Sequence, residues 1–190
     1  AVCSINAYAI KVTEIKLSRD EVTLYVGDED YYFEATVLPE NASNKELSWI
    51  VSNPEVVSVL EDNAIVGVKQ GNCVITYYTI DGSNLSASCN VIVSQQVTSV
   101  TLNEHNLELK EKETYQLIAT VMPIDATNKS VLWSSSNVDF VDVDTDTGLI
   151  EAKSQGEATI TASSAENSSI FDECNVKVSE TNGIQTVSIN

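Results

Sequence analysis

The side chains that could do chemistry are few and scattered. His105 is the only histidine, and it lies in the polar stretch Asn103-Glu104-His105-Asn106, which reads as a turn. A catalytic base needs a nucleophile and an orienting group within hydrogen-bond reach; nothing around His105 supplies them, so a solvated loop residue is expected. A zinc site needs closely spaced ligands, such as two near cysteines. Cys3, Cys73, Cys89 and Cys174 are too far apart for that. The string Asp142-Val143-Asp144-Thr145-Asp146-Thr147-Gly148 alternates carboxylates as a calcium loop does, but such a loop wants Gly at position six and a bidentate Glu at twelve. Here Gly148 is seventh and Lys153 twelfth, and Asp146-Thr147-Gly148 reads better as a hairpin turn. Among 28 Asp and Glu, some pair will stand at glycosidase separation by chance. Nothing places one in a cleft. No catalytic residue, metal ligand or cofactor is therefore assigned, and the chain is not expected to be an enzyme.

Charge narrows the partners. Against those 28 acids stand 10 Lys and Arg, a formal charge of −18 over 190 residues. Binding to phosphate backbones depends on Lys and Arg displacing condensed counterions, so nucleic acid and anionic membrane are excluded as partners. No apolar run approaches the roughly 18 residues that span a bilayer, so membrane insertion is not expected. Strong negative charge keeps a protein soluble and unaggregated. It suits an extracellular or bacterial cell-surface location.

The chain repeats itself at an offset of 84 to 85 residues. Val12-Thr13-Glu14-Ile15-Lys16-Leu17 returns as Val97-Thr98-Ser99-Val100-Thr101-Leu102, and Ala35–Pro39 as Ala119–Pro123. Trp49 returns as Trp133, Gly71 as Gly156, and Cys89–Ser94 as Cys174–Ser179. The organisation expected is a tail strand of a preceding repeat (1–10), a first domain (11–94), a second domain (95–179) and the start of a following segment (180–190). Cys3-Ser4-Ile5-Asn6-Ala7 aligns with the last strand of a unit, which leaves Cys3 without its partner.

Apolar and polar residues alternate in segments that recur every 8 to 12 residues, the pattern of a β-sandwich or barrel. In copy two Tyr115, Leu117, Ala119 and Val121 point one way, and Ala158-Ile160-Ala162 and Cys174-Val176-Val178 repeat the period. In copy one the equivalents are Tyr31-Phe33-Ala35-Val37, Cys73-Ile75-Tyr77 and Cys89-Val91-Val93. Val12–Leu24 has helix-compatible charges, but its β-branched content favours an edge strand. One Trp per unit is expected to centre each core.

Two residue pairs acquire roles within this frame. Cys73 and Cys89 face inward on the last hairpin of copy one, and counting out from Asp81 sets them opposite each other. A disulfide there would stabilise by roughly 3 kcal/mol in the chain-entropy model and imply an oxidising compartment; four reduced core cysteines are the alternative. In copy two Ala158 replaces the first Cys, so Cys174 is expected as a buried free thiol. Alternation sends Tyr32 and Tyr78 outward, where aromatics serve sugar- or protein-binding faces. The two belong to different sheets, and isolated surface tyrosines are the plainer reading.

These motifs resemble the bacterial immunoglobulin-like domain, group 2, found in invasin- and intimin-type surface proteins. Copy two carries Val97-Thr98, Ala119–Pro123, Trp133–Asn137, Val143–Ala152 and Gly156–Ala162; copy one departs at Ile50-Val51, at Gly67 for Ala152 and at Tyr77 for Ala162. The resemblance implies an all-β fold of two tandem immunoglobulin-like sandwiches. The tandem array and the near-absent linker Ser94-Gln95-Gln96, which holds no Gly or Pro, lead to a non-catalytic structural or adhesive module, a stiff segment of a cell-surface or secreted protein that meets a protein or glycan on a host or neighbouring cell. The alternative is an accessory carbohydrate-binding or spacer module of a secreted polysaccharide-degrading enzyme.

Overall fold

A computed structural model describes residues 8–30, 34–60 and 64–180. The described residues form strands and no helix, and the chain divides between Gln95 and Gln96 into two compact units. Each unit builds the same three pieces, as the repeat requires.

In unit 1, β1 (Glu14–Leu17), β2 (Glu21–Tyr25), β3 (Glu29–Asp30), β4 (Ala35–Leu38) and β5 (Leu47–Val51) come first. They are followed by β6 (Val57–Val59), β7 (Ile65–Gly67), β8 (Gly71–Thr79) and β9 (Ser86–Ser94). One sheet runs β2-β9-β8-β5, a second β3-β7-β6, and β1 pairs with β4. Unit 2 opens with β10 (Ser99–Leu102), β11 (Asn106–Lys110), β12 (Thr114–Gln116), β13 (Ala119–Met122) and β14 (Val131–Ser135). It closes with β15 (Val141–Val143), β16 (Leu149–Ala152), β17 (Gly156–Ser164) and β18 (Phe171–Ser179), in sheets β11-β18-β17-β14 and β12-β16-β15 with the ribbon β10-β13.

The expected edge strand at Val12–Leu24 is two strands. β1 runs antiparallel to β4, and after Ser18-Arg19-Asp20 the chain crosses over so that β2 runs parallel to β9. Tyr115–Val121 divides likewise: β12 pairs with β16 and β13 with β10, with Leu117 buried at the crossing. Alternation persists through both crossings because the same side chains face the one interior between the sheets. Pro39 and Pro123 follow the last residues of β4 and β13, where a missing N–H costs no ladder bond.

Each interior is mainly aliphatic. Ile65, Ile75, Val91 and Val93 fill unit 1; Leu117, Ile150, Ile160 and Val176 fill unit 2. Each such side chain contributes about 1.5–3 kcal/mol on burial. The tryptophans differ, which corrects the expectation of two Trp-centred cores. Trp133 is 8% exposed and belongs to the unit 2 core, whereas Trp49 is 36% exposed and lies outside the unit 1 cluster. The reason is the residue across the strand. Trp133 faces Ala162, which leaves room for an indole; Trp49 faces Tyr77, which is itself buried and takes that space. The two rings of unit 1 meet tilted, with centroids 6.3 Å apart.

Candidate functional site

The groups that sequence reading singled out are mostly engaged in holding the sandwiches together. His105 is bonded rather than merely solvated: its Nε2 lies 2.9 Å from Asp172 Oδ2. The same carboxylate oxygen accepts the Leu102 N–H at 2.7 Å, so it ties β10 to β18. Burial opposes ionisation of Asp172, but the Leu102 and Glu173 amides and the His105 ring outweigh it and hold the pKa below the usual carboxylate value. The pair sits on a strand-to-strand bond, and among the described residues no alcohol or thiol is hydrogen-bonded to it.

The acidic string of unit 2 closes a hairpin. Asp144 Oδ1 accepts from Thr147 Oγ1 at 2.7 Å and from the Thr147 and Asp146 amides at 2.8 and 3.1 Å. Those bonds lower its pKa, the Thr147 hydroxyl most. Asp142 is paired with Lys153, Nζ to Oδ2 2.6 Å. Gly148 completes the turn with φ +73°, directly over the Trp133 indole.

Sequence reading missed a carboxylate that works in the same way in both copies. Asp81, in the β8–β9 loop, accepts the Val12 N–H at 2.7 Å and the Ser83 hydroxyl and amide at 2.6 and 2.9 Å. Glu166, its repeat equivalent, accepts the Val97 N–H at 3.3 Å. The Ser83 hydroxyl first, then the Val12 amide, hold Asp81 down to about 2. A carboxylate with an unfolded value of about 3.9 then binds more protons unfolded than folded. The stability it contributes is full above about pH 4 and is lost as pH falls toward 2. Acid titration of unfolding should show this slope in the wild type and its reduction in Asp81→Asn; an unchanged slope would mean the loop carboxylate is not coupled to folding.

The cysteine pairing also needs correction. β8 and β9 set Cys73 opposite Val91 and Cys89 opposite Ile75, because the hairpin centres on Gly82 rather than Asp81. The two are diagonal neighbours, which stand about 7–8 Å apart, beyond the roughly 4.4–6.8 Å that a disulfide spans between Cα atoms. Cys73, Cys89 and Cys174 are buried free thiols, so this hairpin lends no support to an oxidising compartment. Burial raises the thiols of Cys89 and Cys174 to about 11 each. Both should resist alkylation at pH 8 in the folded protein and react only after unfolding, as peptide mapping by mass spectrometry would read. Fast native labelling of either would contradict the packing. Cys3 lies outside the described residues.

Of the two outward tyrosines, Tyr32 lies outside the described residues. Tyr78 is half-buried on the outer face of β8. The strand registers place around it a ladder of outward side chains: Ser48–Tyr78–Ser86, Ile50–Thr76–Ser88 and Val74–Asn90–Glu21. Asn72–Ile92–Thr23 and Ser94–Tyr25 continue it. Of these fourteen positions only Glu21 is charged. A shallow depression of about 260 Å³ lies beside Glu21, Asn72, Val74, Asn90 and Ile92. Tyr25 was legible from the alternation of Glu21-Val22-Thr23-Leu24-Tyr25, but its place beside β9 was not. The corresponding face of unit 2 carries Glu108, Lys110, Glu157, Glu173 and Lys177, and Glu108, Glu157 and Lys177 line a depression of about 500 Å³ there. The two faces share a backbone plan and differ in charge.

Among the described residues no group of three or more His, Cys, Asp or Glu is placed to hold a metal ion, and no helix is long and apolar enough to cross a membrane. Comparison with known proteins agrees with the fold. An uncharacterized protein of Clostridium acetobutylicum is 38% identical over 173 residues, 91% of this chain and 18% of its own length. An Ig-like virion protein of Serratia phage KSP90 is 31% identical over 175 residues, covering 90% of this chain and 67% of the phage protein. Kappa-carrageenase of Pseudoalteromonas carrageenovora is 41% identical over 86 residues, 42% of this chain and 21% of the enzyme. The chain thus spans less than a fifth of the clostridial relative. The family described as Bacterial Ig-like domain (group 2) matches twice, over residues 11–91 and 96–170, one match to each compact unit. Those two matches cover most of the sequence and coincide with two all-β sandwiches of one plan, so the chain belongs to the bacterial Ig-like domain (group 2) family.

Proposed function

We propose that this chain is a non-catalytic structural and adhesive segment of a larger protein at the bacterial surface or outside the cell, with a surface protein or glycan as its partner. The observation that carries this reading is the join: β9 ends at Ser94 and β10 begins at Ser99, with neither Gly nor Pro between them. Gly- and Ser-rich linkers behave as flexible coils; this one is short and lacks that composition. The reactive groups agree, since His105, Asp144 and Asp142 are spent on bonds between strands or within turns. Small-angle scattering should fit one fixed arrangement of the two units. A fit that needs a broad ensemble of arrangements would overturn the stiff-segment reading.

The match to kappa-carrageenase favours a second reading, in which the pair is an accessory or spacer segment beside a catalytic domain. In both readings the two sandwiches perform no reaction themselves.

A further inference from the structure

We propose that the outer face of the β2-β9-β8-β5 sheet in unit 1 binds an uncharged oligosaccharide. The inference rests on the reading of the chain as a module that presents a surface, and it names where that surface is and what it takes.

The composition of the face is the first argument. With 28 acids and 10 bases in 190 residues, fourteen positions would carry about three charged side chains by chance; this face has Glu21 alone. Its counterpart in unit 2, on the same backbone plan, carries five charged residues. An ordinary solvated sheet face looks like the second. The first instead combines hydroxyls and amides with exposed apolar surface: Ile50 is 61% exposed, Val74 37% and Tyr25 38%. Such a set matches the alternating C–H faces and hydroxyls of a sugar ring, with the tyrosines offering rings for the C–H faces. The Thr76 and Ser88 hydroxyls, 2.9 Å apart, stand in the second row of the ladder, with Asn90 in the third.

Charge and area choose the occupant. Without cations the face offers nothing to an anionic glycan, and with a single acid little to a basic peptide. A second copy would bring its own acidic surround against this one. The ladder from Tyr78 to Tyr25 crosses five rows, about 27 Å at two residues per row, and is about 15 Å wide across four strands. That is about 400 Å², roughly half of the 800 Å² per partner in a standard protein interface. A strip long, narrow and flat suits an extended sugar chain.

The test is affinity electrophoresis of the full chain through gels containing hydroxyethylcellulose, xyloglucan, galactomannan or starch, with carboxymethylcellulose as the anionic comparison. At least one neutral polymer should retard the chain. Tyr78→Ala and Ser88→Glu should each weaken that retardation by at least about tenfold, the loss expected of an anchor in a binding face. Phe171→Ala, on the corresponding face of unit 2 at the position that matches Ser86, should leave it unchanged. Ser88 is exposed, so its variant keeps the test valid if Tyr78→Ala melts early. The proposal fails if no neutral polymer retards the chain, if the anionic polymer does so better, or if Ser88→Glu binds as the wild type does. It also fails if sedimentation shows a dimer that Ser88→Glu dissociates, which would make the occupant a second copy. None of these outcomes touches the fixed arrangement read by scattering.

Discussion

Trp133→Ala is expected to lower the stability of unit 2 by about 3–5 kcal/mol, the range for removing a large aromatic from a packed core. Trp49→Ala should cost unit 1 only about 1–2 kcal/mol, because less of its surface leaves water on folding. The residues are repeat equivalents, so sequence alone predicts equal effects. Trp133 packs over Ala162 under the Asp144–Gly148 turn, and deleting it leaves a cavity that the rigid hairpin cannot collapse into. Trp49 leans on Tyr77 with one side in solvent. Two units make a single global transition unsafe to assume, so peptide-level hydrogen exchange should assign each loss to its unit. Equal losses in the two variants would show that the difference in burial has no energetic weight.

Gly148→Ala carries the second large effect. The residue holds φ +73°, and a Cβ there would stand 2.5 Å from Trp133 Cζ2 and 2.6 Å from Cε2. The left-handed backbone costs a residue with a Cβ about 1–2 kcal/mol, and forcing an atom into a filled core adds about 1–3 kcal/mol. A loss of about 2–5 kcal/mol in unit 2 follows. The contacted atoms belong to the six-membered ring of the indole, so Trp133→Phe withdraws some of them. The double variant should therefore be less damaged than the sum of the singles, by about 1–2 kcal/mol of coupling. Strictly additive losses would place the cost in the backbone alone. The glycine of the Asp146-Thr147-Gly148 turn was readable as a turn residue; its role as the ceiling over Trp133 was not.

Much of the fold was visible in particular residues. The inward set Cys73-Ile75-Tyr77, and its partner set Cys89-Val91-Val93, is buried as alternation predicts. The substitution of Tyr77 for Ala162 was visible as a departure between the copies, but its consequence for Trp49 needed the cross-strand pairing. The departure at Gly67 has a similar explanation. A Cβ there would lie 2.6 Å from the Tyr25 carbonyl oxygen, so the second sheet of unit 1 approaches β2 more closely than an alanine would allow. His105 looked idle because Asp172, its partner, lies 67 residues away. Only Tyr78 of the candidate face was singled out, since the other strands that complete it are brought there by pairing.

Which side chains point inward is a local property. Successive Cβ atoms of a strand alternate whatever lies beside it, so the sequence alone determined two all-β units, their cores and their shared plan. Which strand lies beside which, and in what register, depends on loop geometry and on packing between distant segments. The tertiary structure therefore decided that the hairpin turns about Gly82 and parts Cys73 from Cys89, and that β2 joins β9 in parallel. It likewise decided that fourteen outward residues from four strands form one face almost empty of charge.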